Sequence, residues 1–176
     1  MKRKSQINQS KELILQGLLE LMQTMEYDEI TLTQIAKQAE VSRMTLYRHF
    51  NQKEDILLFE AIKISQKILD KVNSSHKLTL KCLLTLKFKS LQEYPYTLIL
   101  SKHNKLEQLL EITTVHILPS ICQKEIIPVS SNTYIQTFFK GGLDAITRDW
   151  IENGMIEPYE KIVDQILYIL NPFMHQ

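Results

Sequence analysis

Within the twelve residues AEVSRMTLYRHF, Ala39 to Phe50, two arginines, a serine, a threonine, a tyrosine and a histidine are set among the apolar anchors Val41, Leu46 and Phe50. Hydroxyl and guanidinium groups are the donors that meet phosphate oxygens, and one arginine can also bond both acceptors on the edge of a guanine. Between residues 41 and 53 the charges are Arg43, Arg48 and Lys53, with His49 among them and no acid. Such a stretch suits recognition of a polyanion by a surface.

Bulk charge does not supply that property. The formal net charge of the 176 residues is +1, so attraction to a polyanion has to come from local segregation of charge. Residues 1–53 carry eight Lys/Arg against six Asp/Glu, and residues 54–176 carry thirteen against fourteen. The basic start MKRKSQINQS is a solvated tail or an arm along a DNA backbone, and it lacks the apolar core of a secretory signal.

The elements that must position the twelve residues read as helices. All five prolines lie beyond residue 94 and glycines number only four, so the first half has few breakers. Ile14, Leu18, Leu21, Met22 and Met25 form one stripe of a helix over residues 9–25. Thr31 or Thr33 is the N-cap of a short second helix, with Gln34 three residues after Thr31 in a capping-box relation. Ser42 caps a third, RMTLYRHF, and Asn51 with Glu54 is set to cap a fourth that runs to about residue 73.

Beyond a linker at NSSH, residues 78–91 alternate as a strand would and also satisfy a helical stripe. Their length without a turn signal, and the lack of a partner strand, favour a helix. Further helices are expected from Pro95 to Leu100, from Lys105 to Leu118 with a disturbance at Pro119, and over residues 120–127. A long one follows from a Ser131 cap to Asn153, stopped by Asn-Gly, and a last one starts at Pro158 and ends near Leu170. The expected fold is all-α, about nine helices, with a helix-turn-helix domain over residues 1–52 and a C-terminal helical bundle over residues 53–176.

Two helices of about two turns would not hold alone in water. Packed together as helix, turn, helix, they place the second helix in a DNA major groove. Ala36 is small enough for the second helix to approach, and Val41, Leu46 and Phe50 turn inward. That leaves Ser42, Arg43, Met44, Thr45, Tyr47, Arg48 and His49 facing out. An ordinary solvated charged face explains the arginines alone, but not the two capped helices and the inward stripe beside them.

ITLTQIAKQAEVSRMTLYRHFNQKEDIL resembles the DNA-binding domain of tetracycline-repressor (TetR) family transcription regulators, with a match over about residues 8–68. The resemblance implies a dimer with an N-terminal three-helix DNA-binding unit and a variable helical domain that often binds a small effector. It implies base-edge contacts from Arg43, Met44 and Thr45, and phosphate contacts from Ser42, Tyr47, His49 and Lys53, with Thr33 and Gln34 nearby and Arg48 in either role. The chain departs from the family pattern at Glu40, where glycine is common, because the residue ending that helix often takes a left-handed conformation. Met44 also stands where a small residue is frequent.

FFKGGLDAITRDWIENGM followed by EPYEKIVDQILYIL is similar to the C-terminal helices of one group of these regulators. Gly141 and Gly142 inside a helix point to close backbone approach, to a partner or within the chain. A twofold four-helix dimer interface would draw on Ile135, Phe139, Gly142, Ile146, Ile162, Ile166 and Ile169. Candidate lining for an effector pocket is Phe88, Tyr94, His116, Phe138 and Trp150, with Tyr96 and His103 beside them, although ordinary packing explains each of these residues too.

No nucleotide-binding, zincin or serine-hydrolase motif occurs, and the five histidines and two cysteines have no metal-ligand spacing. The reading is therefore of no enzyme, no metal and no cofactor, and with no membrane span the expected setting is cytoplasmic. The partners expected are double-stranded DNA carrying a palindromic operator, a second copy of the chain and a small-molecule effector that releases a repressor. A regulator of the same fold that answers to a protein partner, including as an activator, is the alternative. A helical interaction module that binds no DNA is the third class.

Overall fold

The computed structural model describes residues 2–74, 79–123 and 133–171. Every regular element among them is helical: α1 (Lys2–Leu21), a 3-10 turn (Tyr27–Glu29), α2 (Leu32–Gln38), α3 (Arg43–His49), α4 (Lys53–Ser74), α5 (Leu80–Glu93), α6 (Thr97–Lys102), α7 (Leu106–Gln123), α8 (Thr133–Glu152) and α9 (Tyr159–Leu170). The chain forms two compact units, Met1–Gln66 with Lys102–His116, and Lys67–Ser101 with Ile117–Gln176.

In the first unit α1 packs on α2 and α3. Its stripe buries Ile14, Leu18 and Met22, while Leu21 and Met25 are only half-buried. Gly17 lies where α1 meets α2. A Cβ there would stand 3.0 Å from the Ala39 nitrogen, 3.1 Å from the Ala39 Cβ and 3.2 Å from the Ile35 carbonyl oxygen. Burial of Ile35, Leu46 and Phe50 holds the two short helices in place, at about 1.5–3 kcal/mol for each large apolar side chain taken fully out of water.

Residues 102–116 belong to this unit through a buried histidine. His103 Nε2 stands 2.7 Å from the Met22 carbonyl oxygen, and its Nδ1 is 3.4 Å from a Glu26 carboxylate oxygen. The imidazole thus ties the turn after α6 to the end of α1. Lys105 adds a cation 4.2 Å from the Tyr27 ring centre.

In the second unit α5 packs on α9. Thr79 caps α5 by accepting from the Cys82 amide at 3.2 Å, and Leu84, Phe88 and Leu91 are its buried stripe. The alternation seen in residues 78–91 is thus resolved as a helix. Phe88 meets Trp150 edge to face at 5.3 Å, and the Trp150 indole donates to the Glu157 carbonyl at 2.9 Å.

Three boundaries differ from the sequence expectation: α1 spans Lys2–Leu21 rather than residues 9–25, so the basic start is helical from Lys2, and α4 and α7 also differ. The α4 start is capped by Asp55, whose Oδ2 accepts the amides of Asn51 at 3.0 Å and Gln52 at 3.2 Å; Glu54 instead accepts the Tyr27 hydroxyl. α7 runs through Pro119 to Gln123, since proline's φ suits a helix even though it forfeits one ladder bond. The expected Ser131 cap and residues 124–127 lie outside the described residues. Asn-Gly does stop α8: Gly154 has φ 77, with its amide on Ile151 O and that of Met155 on Trp150 O, both at 2.9 Å.

Candidate nucleic-acid interface

Local chemistry sets the frame of the α2–α3 pair. Thr31 forms a full capping box with Gln34: its Oγ1 accepts the Gln34 amide at 3.3 Å, and the Gln34 Oε1 accepts the Thr31 amide at 2.8 Å. Two of the orphan amides at the α2 start are thereby satisfied. Ser42 caps α3 in the same manner, its Oγ accepting the Thr45 amide at 3.0 Å.

Between these helices the chain makes a complete Schellman turn. The Val41 amide donates to Ala36 O at 3.0 Å and the Glu40 amide to Lys37 O at 3.2 Å, the 6→1 and 5→2 bonds of that motif. Glu40 sits at its left-handed position with φ 53. The turn therefore uses a left-handed residue at the place where the sequence departs from glycine.

Leu46 and Phe50 are the inward face of α3. Phe50 packs edge to face on Phe59 at 5.9 Å, and the Lys11 ammonium lies 5.8 Å from the Phe50 ring centre and 5.3 Å from that of Phe59. Opposite, Arg43, Met44, Tyr47 and Arg48 all face solvent, with Met44 73% and Tyr47 54% exposed. A large thioether and a phenol left in water beside two guanidinium groups make a surface with an apolar component and charge-assisted donors.

The other predicted contacts are placed less uniformly. Ser42 and Thr33 are exposed, and Thr45 is half-buried with its hydroxyl 2.8 Å from that of Ser42. Gln34 is spent on the capping box. His49 is half-buried, and its burial first, then the charges of Lys11 and Arg48, hold its imidazolium below the ordinary histidine range. The Lys53 ammonium turns inward, donating to the carbonyls of Tyr27 at 2.5 Å and Ile30 at 3.2 Å, and lies 4.4 Å from the Tyr27 ring centre.

That contact is part of a clamp the sequence did not reveal. Tyr27 is buried, its hydroxyl donates to Glu54 Oε1 at 3.1 Å, and its ionisation is pushed far above the usual phenol range by burial and then by the Glu54 charge. Lys53 and Glu54 together pin the turn before α2 to the start of α4. The pairing spans 26 residues of sequence, so no local motif announces it.

The predicted C-terminal contacts also separate. Phe88 and Trp150 meet in the interior of the second unit, and Tyr94 is half-buried with its ring edge to face on Tyr96 at 5.7 Å. His116 and Phe138 are exposed. Of the dimer candidates, Ile162 and Ile166 are buried within the unit, Ile146 is half-buried, and Gly142 and Ile169 are exposed; the side chains of Ile135 and Phe139 lie outside the described set. A Cβ on Gly141 or Gly142 would meet nothing within 4 Å, so close packing among the described residues is not why these glycines are there.

Among the described residues no helix is long and apolar enough to cross a membrane, and no group of His, Cys, Asp or Glu could hold a metal ion. Two solved structures are similar over nearly the whole chain. One, titled "Dihydroxyacetone kinase operon activator DhaS", is 20% identical, with a TM-score of 0.66, covering 94% of this chain and 96% of that one. The other, a structural analysis of the fatty acid degradation regulator FadR from Bacillus halodurans, is also 20% identical, with a TM-score of 0.67, covering 90% and 96%. At that identity the likeness shows the fold. No curated protein matches. Residues 14–59 match the family described as bacterial regulatory proteins, tetR family, and residues 60–172 match a transcriptional regulator C-terminal region. With the helix-turn-helix geometry and matches that continue through most of the chain, the protein belongs to the tetR family of bacterial DNA-binding transcription regulators.

Proposed function

We propose that the chain works as a homodimer, a repressor that reads a palindromic operator and is released by a small-molecule effector. The observation that carries the DNA-reading part is the α3 surface: Arg43, Met44, Tyr47 and Arg48 exposed on one side, Leu46 and Phe50 buried on the other. Arg43 and Met44 open the helix, the end that meets base edges in this motif, and Thr45 lies one residue further. Tyr47 and Arg48 are exposed to meet phosphates, whereas the Ser42 hydroxyl already accepts the Thr45 amide and meets the Thr45 hydroxyl.

Dimerisation is supported by apolar surface on α8 and α9. Phe138 is 66%, Tyr168 78% and Ile169 50% exposed, and the open backbone at Gly141 and Gly142 lets a neighbouring helix approach closely. The interface proposed here therefore uses Gly142 and Ile169 with Phe138 and Tyr168, while Ile162 and Ile166 support it from inside the unit. Two reading heads separated by about 34–36 Å match successive major-groove faces. An effector preferring one head spacing would change DNA affinity through differential binding to the two states.

The experiment is selection of bound fragments from the source genome, followed by binding titrations on the recovered site. A palindrome bound with affinity that falls steeply with salt, and weakened at least about tenfold by Arg43→Ala, supports the reading. Salt-insensitive binding, or none, would overturn it. Sedimentation as a monomer at micromolar concentration removes the dimer, and a reporter that loses expression when the gene is deleted replaces repression with activation.

A further inference from the structure

Residues 22–31 join α1 to α2, and side chains from much later in the sequence hold them. The carbonyls of a helix's last turn have no partner within the helix. Leu21 O accepts the amides of Thr24 at 3.1 Å and Met25 at 2.9 Å. Met22 O is next, and among the described residues no backbone amide reaches it. Its partner is the His103 Nε2 at 2.7 Å, and both residues are buried. A carbonyl only accepts, so Nε2 carries the proton and donates. Nδ1 makes no hydrogen bond among the described residues, with a Glu26 carboxylate oxygen 3.4 Å away, so the polar tie to α1 runs through one donor.

Farther along the same connection the Tyr27 ring lies between two ammonium groups, Lys105 at 4.2 Å and Lys53 at 4.4 Å from its centre. Lys53 is inside the stretch that matches the DNA-binding family, residues 14–59. His103 and Lys105 come from well beyond it, yet they fall in the same compact unit, Met1–Gln66 with Lys102–His116. The unit that carries the reading helix is thus completed by a segment from the second half of the chain.

We propose that His103 is a positioning residue for operator recognition, capping the end of α1 so that the chain enters α2 at a fixed place, with Lys105 bracing Tyr27 behind it. This rests on the DNA-reading role of α3. Thr31, the N-cap of α2, follows the Tyr27–Glu29 turn after Ile30, and α2 leads through the Glu40 turn into α3. A shift in residues 22–30 therefore turns α2 and carries α3 with it. Base edges demand that alignment, whereas phosphate contacts carry no sequence information. Losing the tie lowers the fraction of molecules aligned to read bases.

The test is a fluorescence-anisotropy titration of the full chain with two duplexes of equal length, a palindromic fragment recovered from the source genome and a scrambled one. His103→Leu is expected to weaken binding of the palindrome about tenfold and to leave the scrambled duplex within about twofold, because sequence-independent binding depends on phosphate charge. His103→Gln, whose amide can donate in place of Nε2, should restore most of the preference. Lys105→Met should lose about threefold of it. Equal losses on both duplexes would assign His103 to fold stability alone, and equal impairment of the Leu and Gln variants would assign it to packing. Either result overturns the proposal, as does an undiminished preference in His103→Leu. If His103→Leu does not fold, Lys105→Met decides: a folded variant with the full wild-type preference overturns the proposal. A wild-type chain without preference between the duplexes removes sequence-specific reading by α3 itself, and the proposal with it.

Discussion

The amide of Val41 reaches back 3.0 Å to the carbonyl of Ala36, closing the turn that sets the angle between α2 and the recognition helix. The direction in which α3 faces depends on that closure, because Val41 is the last residue before the Ser42 cap. The closure requires a left-handed residue at Glu40, φ 53, which costs a non-glycine residue about 1–2 kcal/mol.

Glu40→Gly is therefore expected to raise stability by about 1 kcal/mol, once the larger chain entropy of glycine in the unfolded state is set against the relief. In a chain of this size that is a rise in Tm of about 2–4 °C. The variant should also bind operator DNA more tightly, since an anion near the phosphates is gone. Glu40→Gln separates the two effects: it should keep the wild-type Tm and show only the gain in affinity. An unchanged Tm for the glycine variant would mean that the turn bears no strain.

Gly17→Ala should act in the opposite direction. Alanine is the better helix former by about 1 kcal/mol, yet its Cβ would come within 3.0 Å of the Ala39 nitrogen and 3.2 Å of the Ile35 carbonyl oxygen. Both are backbone atoms, so relief requires α1 and α2 to part. Overpacking of this kind costs about 1–3 kcal/mol, to be measured by urea unfolding. Because Ala39 leads directly into the turn, operator affinity should fall as well.

These residues also show what the sequence could reveal. The caps at Thr31 and Ser42 were legible because a cap is a local contract, a hydroxyl and an amide three residues apart. The left-handed residue at Glu40 was legible through its contrast with a family pattern. Gly17 was not, since the α1 stripe identifies which residues turn inward but not where another backbone crosses. The α4 cap fell on Asp55 rather than Glu54 because Glu54 is drawn to a hydroxyl 27 residues away.

His49 gives the reading head a pH dependence whose sign follows from its surroundings. Burial and the charges of Lys11 and Arg48 hold its folded value below the ordinary one, so the unfolded chain binds the proton more readily. Stability from this group is present above about pH 6.5 and is lost as pH falls from there through the folded value. DNA phosphates bring the opposite charge and should favour proton uptake in the complex, so operator affinity should increase as pH is lowered from about 8 to 6. His49→Gln should flatten both profiles, in unfolding and in binding titrations; a variant that tracks the wild type in both would exclude His49 as the titrating group.

Lys53 tests whether a cation near DNA acts on phosphate or on the protein. Its ammonium donates to the carbonyls of Tyr27 and Ile30 and lies over the Tyr27 ring, contacts that fix the turn leading into α2. Lys53→Met is expected to cost about 2 kcal/mol of stability, from charge-assisted bonds and a cation–π contact in a half-buried place. Operator affinity should drop with it, because the capped start of α2 is no longer held. The discriminating measurement is the dependence of affinity on salt. A side chain that neutralises one phosphate contributes about 0.9 to the slope of log K against log salt, so Arg48→Met should reduce the slope by about that amount. Lys53→Met should leave it unchanged, since its ammonium is committed to two carbonyls. A slope reduced equally by both substitutions would assign Lys53 to the phosphates and require its ammonium to leave Tyr27 when DNA binds.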